Sequence, residues 1–169
     1  CLQDARSIGR INLAADTISR SILPVLESRA WPPCVSWAAL GRVAIQIGSF
    51  YRDYGDPDRA LALADLAEKL LYLENSAARH TLIELARIHQ HRGIAMLGLG
   101  DLPASIRLIT ESKREFYELR YAVGVSNAAL WLARAALLQG EPRNARKLLA
   151  LPERDFEKYL SVTERWILP

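Results

Sequence analysis

Apolar residues recur every three or four positions along almost the whole chain, and β-branched residues are sparse. No stretch alternates with period two, so the pattern predicts an all-α protein. The rhythm is punctuated by one spacing: a glycine followed five residues later by alanine or serine. It occurs as Gly9 and Ala14, Gly55 and Ala60, Gly100 and Ser105, and Gly140 and Ala145. The intervals of 46, 45 and 40 residues between these glycines point to stacked helical hairpins.

The punctuation also places the elements. A first helix is expected from about Asp4 to Arg29, kinked or interrupted by Pro24. Trp31-Pro32-Pro33 then stops it, because a residue before proline is pushed out of the α region. A second helix should run from Val35 to about Tyr54 and end at Gly55-Asp56-Pro57. Glycine there suits the left-handed residue past a helix end, Pro57 the first turn of the next helix, and Asp56 its cap. That next helix should reach about Glu74. After the Asn75-Ser76 junction come helices over about Ala77–Leu97, from Pro103 to about Leu119, and over Tyr121–Gln139. Gly140-Glu141-Pro142 opens a short helix interrupted at Leu151-Pro152. A final amphipathic helix, about Glu153 to Ile167, has one charged face that would suit an end cap.

Composition narrows the function classes. Half the residues are apolar and 24% charged, which excludes wholesale disorder. The net charge is only +3, with acids and bases mixed and no basic stripe, so direct nucleic-acid binding is not expected. No apolar run is long enough to cross a bilayer. The only cysteines, Cys1 and Cys34, have no ligand spacing and read as incidental or buried thiols. The chain starts without Met, in what reads as a helix tail, so the expectation is a fragment of a larger cytoplasmic protein.

Counting outward from each turn glycine aligns the hairpins. Before Gly55 stand Ile47-Gly48 and Tyr51, and after it Ala60, Ala64 and Ala67. Before Gly100 stand Arg92-Gly93 and Met96, and after it Ser105, Ile109 and Ser112. Before Gly140 stand Leu132-Ala133 and Ala136, and after it Ala145, Leu149 and Pro152. Small residues at Gly48, Gly93 and Ala133 would let two helices approach closely, with larger side chains filling the spaces between. This pattern resembles tetratricopeptide repeats, with a period longer than the family's usual ~34 residues. Repeats of this length are similar to the arrays of large bacterial signalling ATPases and transcription regulators, and Arg120–Leu149 looks most like those.

The resemblance implies a superhelix of antiparallel helical hairpins spanning residues 1–169 as one domain. A partial hairpin would cover 1–31, full hairpins about 34–75, 76–120 and 121–151, and a capping helix 152–169. It further implies a protein- or peptide-binding module whose first helices line a groove. The groove residues would be Arg42, Gln46, Ser49 and Arg52, then Arg87, Gln90 and His91, then Asn127, Trp131 and Arg134. These offer guanidinium and amide donors to an acidic or carboxylate-bearing segment. The family's carboxylate clamp uses a lysine set that this chain lacks. Other domains of the same polypeptide are further candidate partners. Two rival readings stay open: a small-molecule effector-sensing domain of a transcription regulator, and a structural self-association module.

No enzyme, cofactor or metal is expected. His80, His89 and His91 lie on one helix, but His89 and His91 are two residues apart and diverge, leaving at most His80 facing Glu84. Ser36, Ser49 and Ser126 lack a nucleophile elbow, and Gly98-Leu99-Gly100 has no following lysine. Glu111, Glu115 and Glu118 alternate with Lys113, Arg114 and Arg120, as on a solvated helix laced with ion pairs.

Overall fold

The computed structural model describes residues 18–28, 36–74 and 78–150. Among them every regular element is helical, so the protein is all-α. A widened helical turn, Ile18–Ile22, leads into α1 (Leu23–Ser28). The widening falls just ahead of Pro24, whose ring would collide with the carbonyl one regular turn earlier and which has no N–H to donate. The other helices are α2 (Trp37–Tyr54), α3 (Pro57–Leu73), α4 (Arg79–Gly98), α5 (Leu102–Glu118), α6 (Ala122–Leu138) and α7 (Pro142–Leu149). The predicted cap over Glu153–Ile167 and most of the predicted first helix lie outside the described residues.

The turns follow directly from the sequence. Gly55, Gly100 and Gly140 have φ of +95°, +83° and +77°, where a side chain would be strained. Each closes the same motif, in which the residue after the glycine donates its N–H back to the helix it leaves. Asp56 donates to the Tyr51 carbonyl at 2.8 Å, Asp101 to Met96 at 3.0 Å and Glu141 to Ala136 at 2.9 Å. The fourth copy was not predicted. Tyr121 donates to the Phe116 carbonyl at 2.8 Å, and the left-handed residue is Arg120, at φ +53°. Its turn is held from outside, because Arg79 donates to the carbonyls of Leu119 at 3.0 Å and Arg120 at 3.2 Å.

Two of the following helices, α3 and α5, are capped by aspartate. Asp56 Oδ1 accepts from the Arg59 N–H and Asp101 Oδ1 from that of Ala104, both at 3.0 Å. Glu141 makes no such bond, and its carboxylate instead accepts from the Asn144 side chain. Ser36 Oγ caps α2 by accepting from the Ala39 N–H at 3.1 Å.

The chain divides into two compact units, Cys1–Asn75 and Ser76–Pro169. In the first, α2 and α3 form an antiparallel hairpin: Gly41 faces Leu71 at one end and Gly48 faces Ala60 and Leu63 towards the turn. Leu40, Ala44, Ile45, Ile47 and Tyr51 are buried in α2, with Leu63, Ala64, Ala67, Leu70 and Leu71 in α3. The open end is tied by Glu74, whose Oε2 accepts from the Ala38 N–H at 3.0 Å.

In the second unit, α4 to α7 pack in succession on two main apolar clusters. One joins Ile94, Ile109, Ala128 and Leu132; the other joins Ile83, Ala86 and Phe116. A third contact, Ala133 and Ala136 against Ala145, seats α7 on α6. The small positions read from the sequence are therefore at the seams: Ala60, Ser105 and Ala145 are all buried. Gly124 is a further seam position that the repeat alignment did not single out. A Cβ there would lie 2.5 Å from the Phe116 ring.

Candidate partner-binding face

On α6, residues 123, 127, 130, 134 and 137 are spaced four, three, four and three apart, which aligns them along one helix face. That face is open. Val123, Leu130, Leu137 and Leu138 are each more than half exposed, and Asn127 and Arg134 sit between them, also exposed. The opposite faces of the helix are buried through Gly124, Ala128, Ala129, Leu132, Ala133, Ala135 and Ala136. No acidic residue lies on α6.

Trp131 flanks this stripe. It is half-buried and packs against the cluster of Ile94, Ile109, Ala128 and Leu132. The Arg134 guanidinium lies 5.1 Å from the centre of the indole, within cation–π range. This leaves its N–H groups at the surface, where no carboxylate of the described residues pairs with them.

The other expected groove residues of this unit are on α4. Asn127 reaches Gln90 there, donating from Nδ2 to Oε1 at 3.5 Å, the outer limit of a hydrogen bond. Gln90 itself is buried, and its Nε2 has no partner. Arg87 is committed within the fold: Nη1 lies 3.1 Å from Glu84 Oε1, and Nη2 donates to the Tyr121 hydroxyl at 2.6 Å. Glu84 is buried, so Arg87 compensates a carboxylate that would otherwise be stranded. Truncating Arg87 would disturb folding and is a poor probe of binding. His91 is half-buried on the same helix.

The remaining four, Arg42, Gln46, Ser49 and Arg52, belong to α2 in the first unit. Arg42 and Gln46 are exposed. Ser49 Oγ donates back to the Ile45 carbonyl at 3.1 Å, and Arg52 pairs with Asp53 at 2.8 Å.

Of the histidines, His80 is exposed and His89 is engaged by Glu115, with Nδ1 2.9 Å and 3.0 Å from the two carboxylate oxygens. Glu84 faces Arg87 rather than serving a site with His80. Arg114 lies 3.9 Å from Glu111 and 3.8 Å from Glu118, the exposed ion-pair lacing that the alternating charges predicted. Among the described residues no three His, Cys, Asp or Glu side chains gather as metal ligands, and no helix is long and apolar enough to cross a membrane.

Two features were not read from the sequence. One is the apolar part of the α6 stripe, because the repeat alignment drew attention to polar residues on first helices. The other is an open hollow of about 580 Å³ beside α7, lined by Pro142, Arg143, Arg146, Lys147 and Ala150. Their spacing at i, i+3 and i+4 was visible, but on a helix of eight residues it reads as a solvated surface. No protein-family model matches the chain, and no curated protein or solved structure does so either.

Proposed function

We propose that the chain is a protein- or peptide-binding helical-repeat module whose working surface is the open face of α6. The observation that carries this reading is the open face on which Val123, Leu130, Leu137 and Leu138, each more than half exposed, alternate with Asn127 and Arg134 on a helix otherwise packed into its unit. Isolated exposed leucines are ordinary. Four apolar residues along one helix face, with an amide and a guanidinium between them, suit a surface that another chain covers.

The recurrent turn and the small residues at the seams support a tetratricopeptide-like superhelix. On that reading the chain is one part of a larger bacterial regulatory or signalling protein of the cytoplasm, and it works by recognition, without catalysis or a cofactor. A preformed helical face limits the ordering needed on association, leaving affinity to apolar contact and orientation to Asn127 and Arg134.

Selection from a display library of helix-favouring peptides tests this reading. Binders recovered with the unmodified chain should lose affinity for Leu130→Asp and Leu137→Asp variants whose circular dichroism is unchanged. Binders that hold both variants as tightly would overturn it.

A further inference from the structure

We infer that Arg134, held on Trp131, is a receptor for one side-chain carboxylate of an amphipathic helical partner lying along α6. The inference rests on the binding face proposed above and names its occupant.

The stripe from Val123 to Leu138 is about 22 Å long at the helical rise per residue, enough to seat four turns of a partner helix. Its apolar positions surround one cation: Leu130 precedes Arg134 by one turn, and Leu137 and Leu138 follow it by one turn. A partner that buries leucine-like residues against this row brings its own central residue over the guanidinium. Covering Arg134 with an apolar group would strip water from a charge and return no hydrogen bonds. Covering it with a carboxylate satisfies the cation and uses its planar fork in two parallel N–H···O bonds.

Of the other arginines expected in the groove, Arg42 is exposed on α2 in the other unit and two are engaged within the fold. Arg87 is spent on Glu84 and Tyr121. Arg52, in the other unit, is spent on Asp53. Among the described residues, Arg134 meets the Trp131 indole, with Cζ 5.1 Å from the ring centre, and no carboxylate pairs with its guanidinium. With no acid on α6, nothing on the helix competes for that group or repels an incoming carboxylate. The charge complementarity therefore specifies an acidic residue at the middle of the partner's apolar face.

The test repeats the peptide selection on the unmodified chain and on Arg134→Glu. Peptides recovered with the unmodified chain should carry Asp or Glu at one central position among leucine-like residues. Arg134→Ala should weaken them roughly ten- to hundredfold, the range for a charge-assisted pair. Arg134→Lys should restore only part of that loss, since an ammonium lacks the fork. The Arg134→Glu chain should select Lys or Arg at the same place. Binders without an acidic preference that hold Arg134→Glu as tightly, yet are lost with Leu130→Asp, would overturn the carboxylate assignment and leave the binding face standing. Binders indifferent to Leu130→Asp would overturn both.

Discussion

The α2–α3 and α4–α5 hairpins share one plan and differ at the seam. Both turn on a left-handed glycine, and both cap the second helix with aspartate. Across the α2–α3 seam, Gly48 faces Ala60 and Leu63 with room for ordinary contact: a Cβ would sit 3.4 Å from the nearest atoms. Ala60, Ala64 and Ala67 line the other side, all buried and without a polar atom in the side chain. Across the α4–α5 seam a Cβ on Gly93 would lie 2.6 Å from Ile109, which is fully buried and has nowhere to move. The small positions beside it are Ser105 and Ser112, whose buried hydroxyls have no partner. One spacing thus encodes two kinds of contact. Near its turn the α2–α3 pair meets on alanine at ordinary contact distance, closing more tightly at Gly41, where a Cβ would lie 3.2 Å from Leu71, and the α4–α5 pair interlocks one large side chain with one missing side chain.

Substitutions at matched positions sharpen this contrast. The largest expected effect is at the glycines. Gly93→Ala should lose about 2 kcal/mol, overpacking against Ile109 outweighing the better helix propensity of alanine. Gly48→Ala should be neutral or gain up to about 1 kcal/mol from propensity alone. Urea unfolding followed by circular dichroism compares the two, and equal losses would erase the distinction. Next come the serines. Ser105→Ala and Ser112→Ala should each stabilise by about 1 kcal/mol, since each removes a buried hydroxyl with no bond, while Ala67→Ser should destabilise by a similar amount. A smaller gain is expected at the turn that lacks glycine. Arg120→Gly relieves a left-handed side chain but loosens the unfolded chain, for a net gain of about 0.5–1 kcal/mol. Local hydrogen exchange in the α5–α6 turn would register it. Smallest is the cap of α7, where Glu141→Asp should add about 0.5 kcal/mol by allowing the short acid to reach the N–H groups that Asp56 and Asp101 reach in theirs.

Much of this fold was legible because its signals are local. Glycine at Gly55, Gly100 and Gly140, with Asp or Pro just beyond, is a constraint on adjacent backbone, and a reader of the sequence meets it in one place. Arg120 was missed for the same reason: nothing in its own neighbourhood demands a positive φ, and the support comes from Arg79, which lies 41 residues away. Gly124 escaped notice because the repeat pattern assigns it no role, while its need for a bare backbone is set by Phe116 on the preceding helix.

The proposed binding face was legible in part. Asn127, Trp131 and Arg134 share a stretch of helix, and periodicity alone aligns them. Which arginine is available could not be read. Arg87 and Arg134 look alike in a helical pattern, and only the three-dimensional arrangement sets Glu84 and Tyr121 against one and Trp131 beneath the other. Gln90 shows the reverse error: a polar residue in a groove register proves to be buried.

The most direct test of the binding account is methyl NMR on the chain labelled at valine and leucine, titrated with a peptide from the unmodified-chain selection. The account predicts that the methyl signals of Val123, Leu130, Leu137 and Leu138 shift together and saturably, while those of buried Leu63 and Leu71 in the first unit stay in place. Shifts confined to other residues, with the four α6 methyls unmoved at saturation, would contradict it.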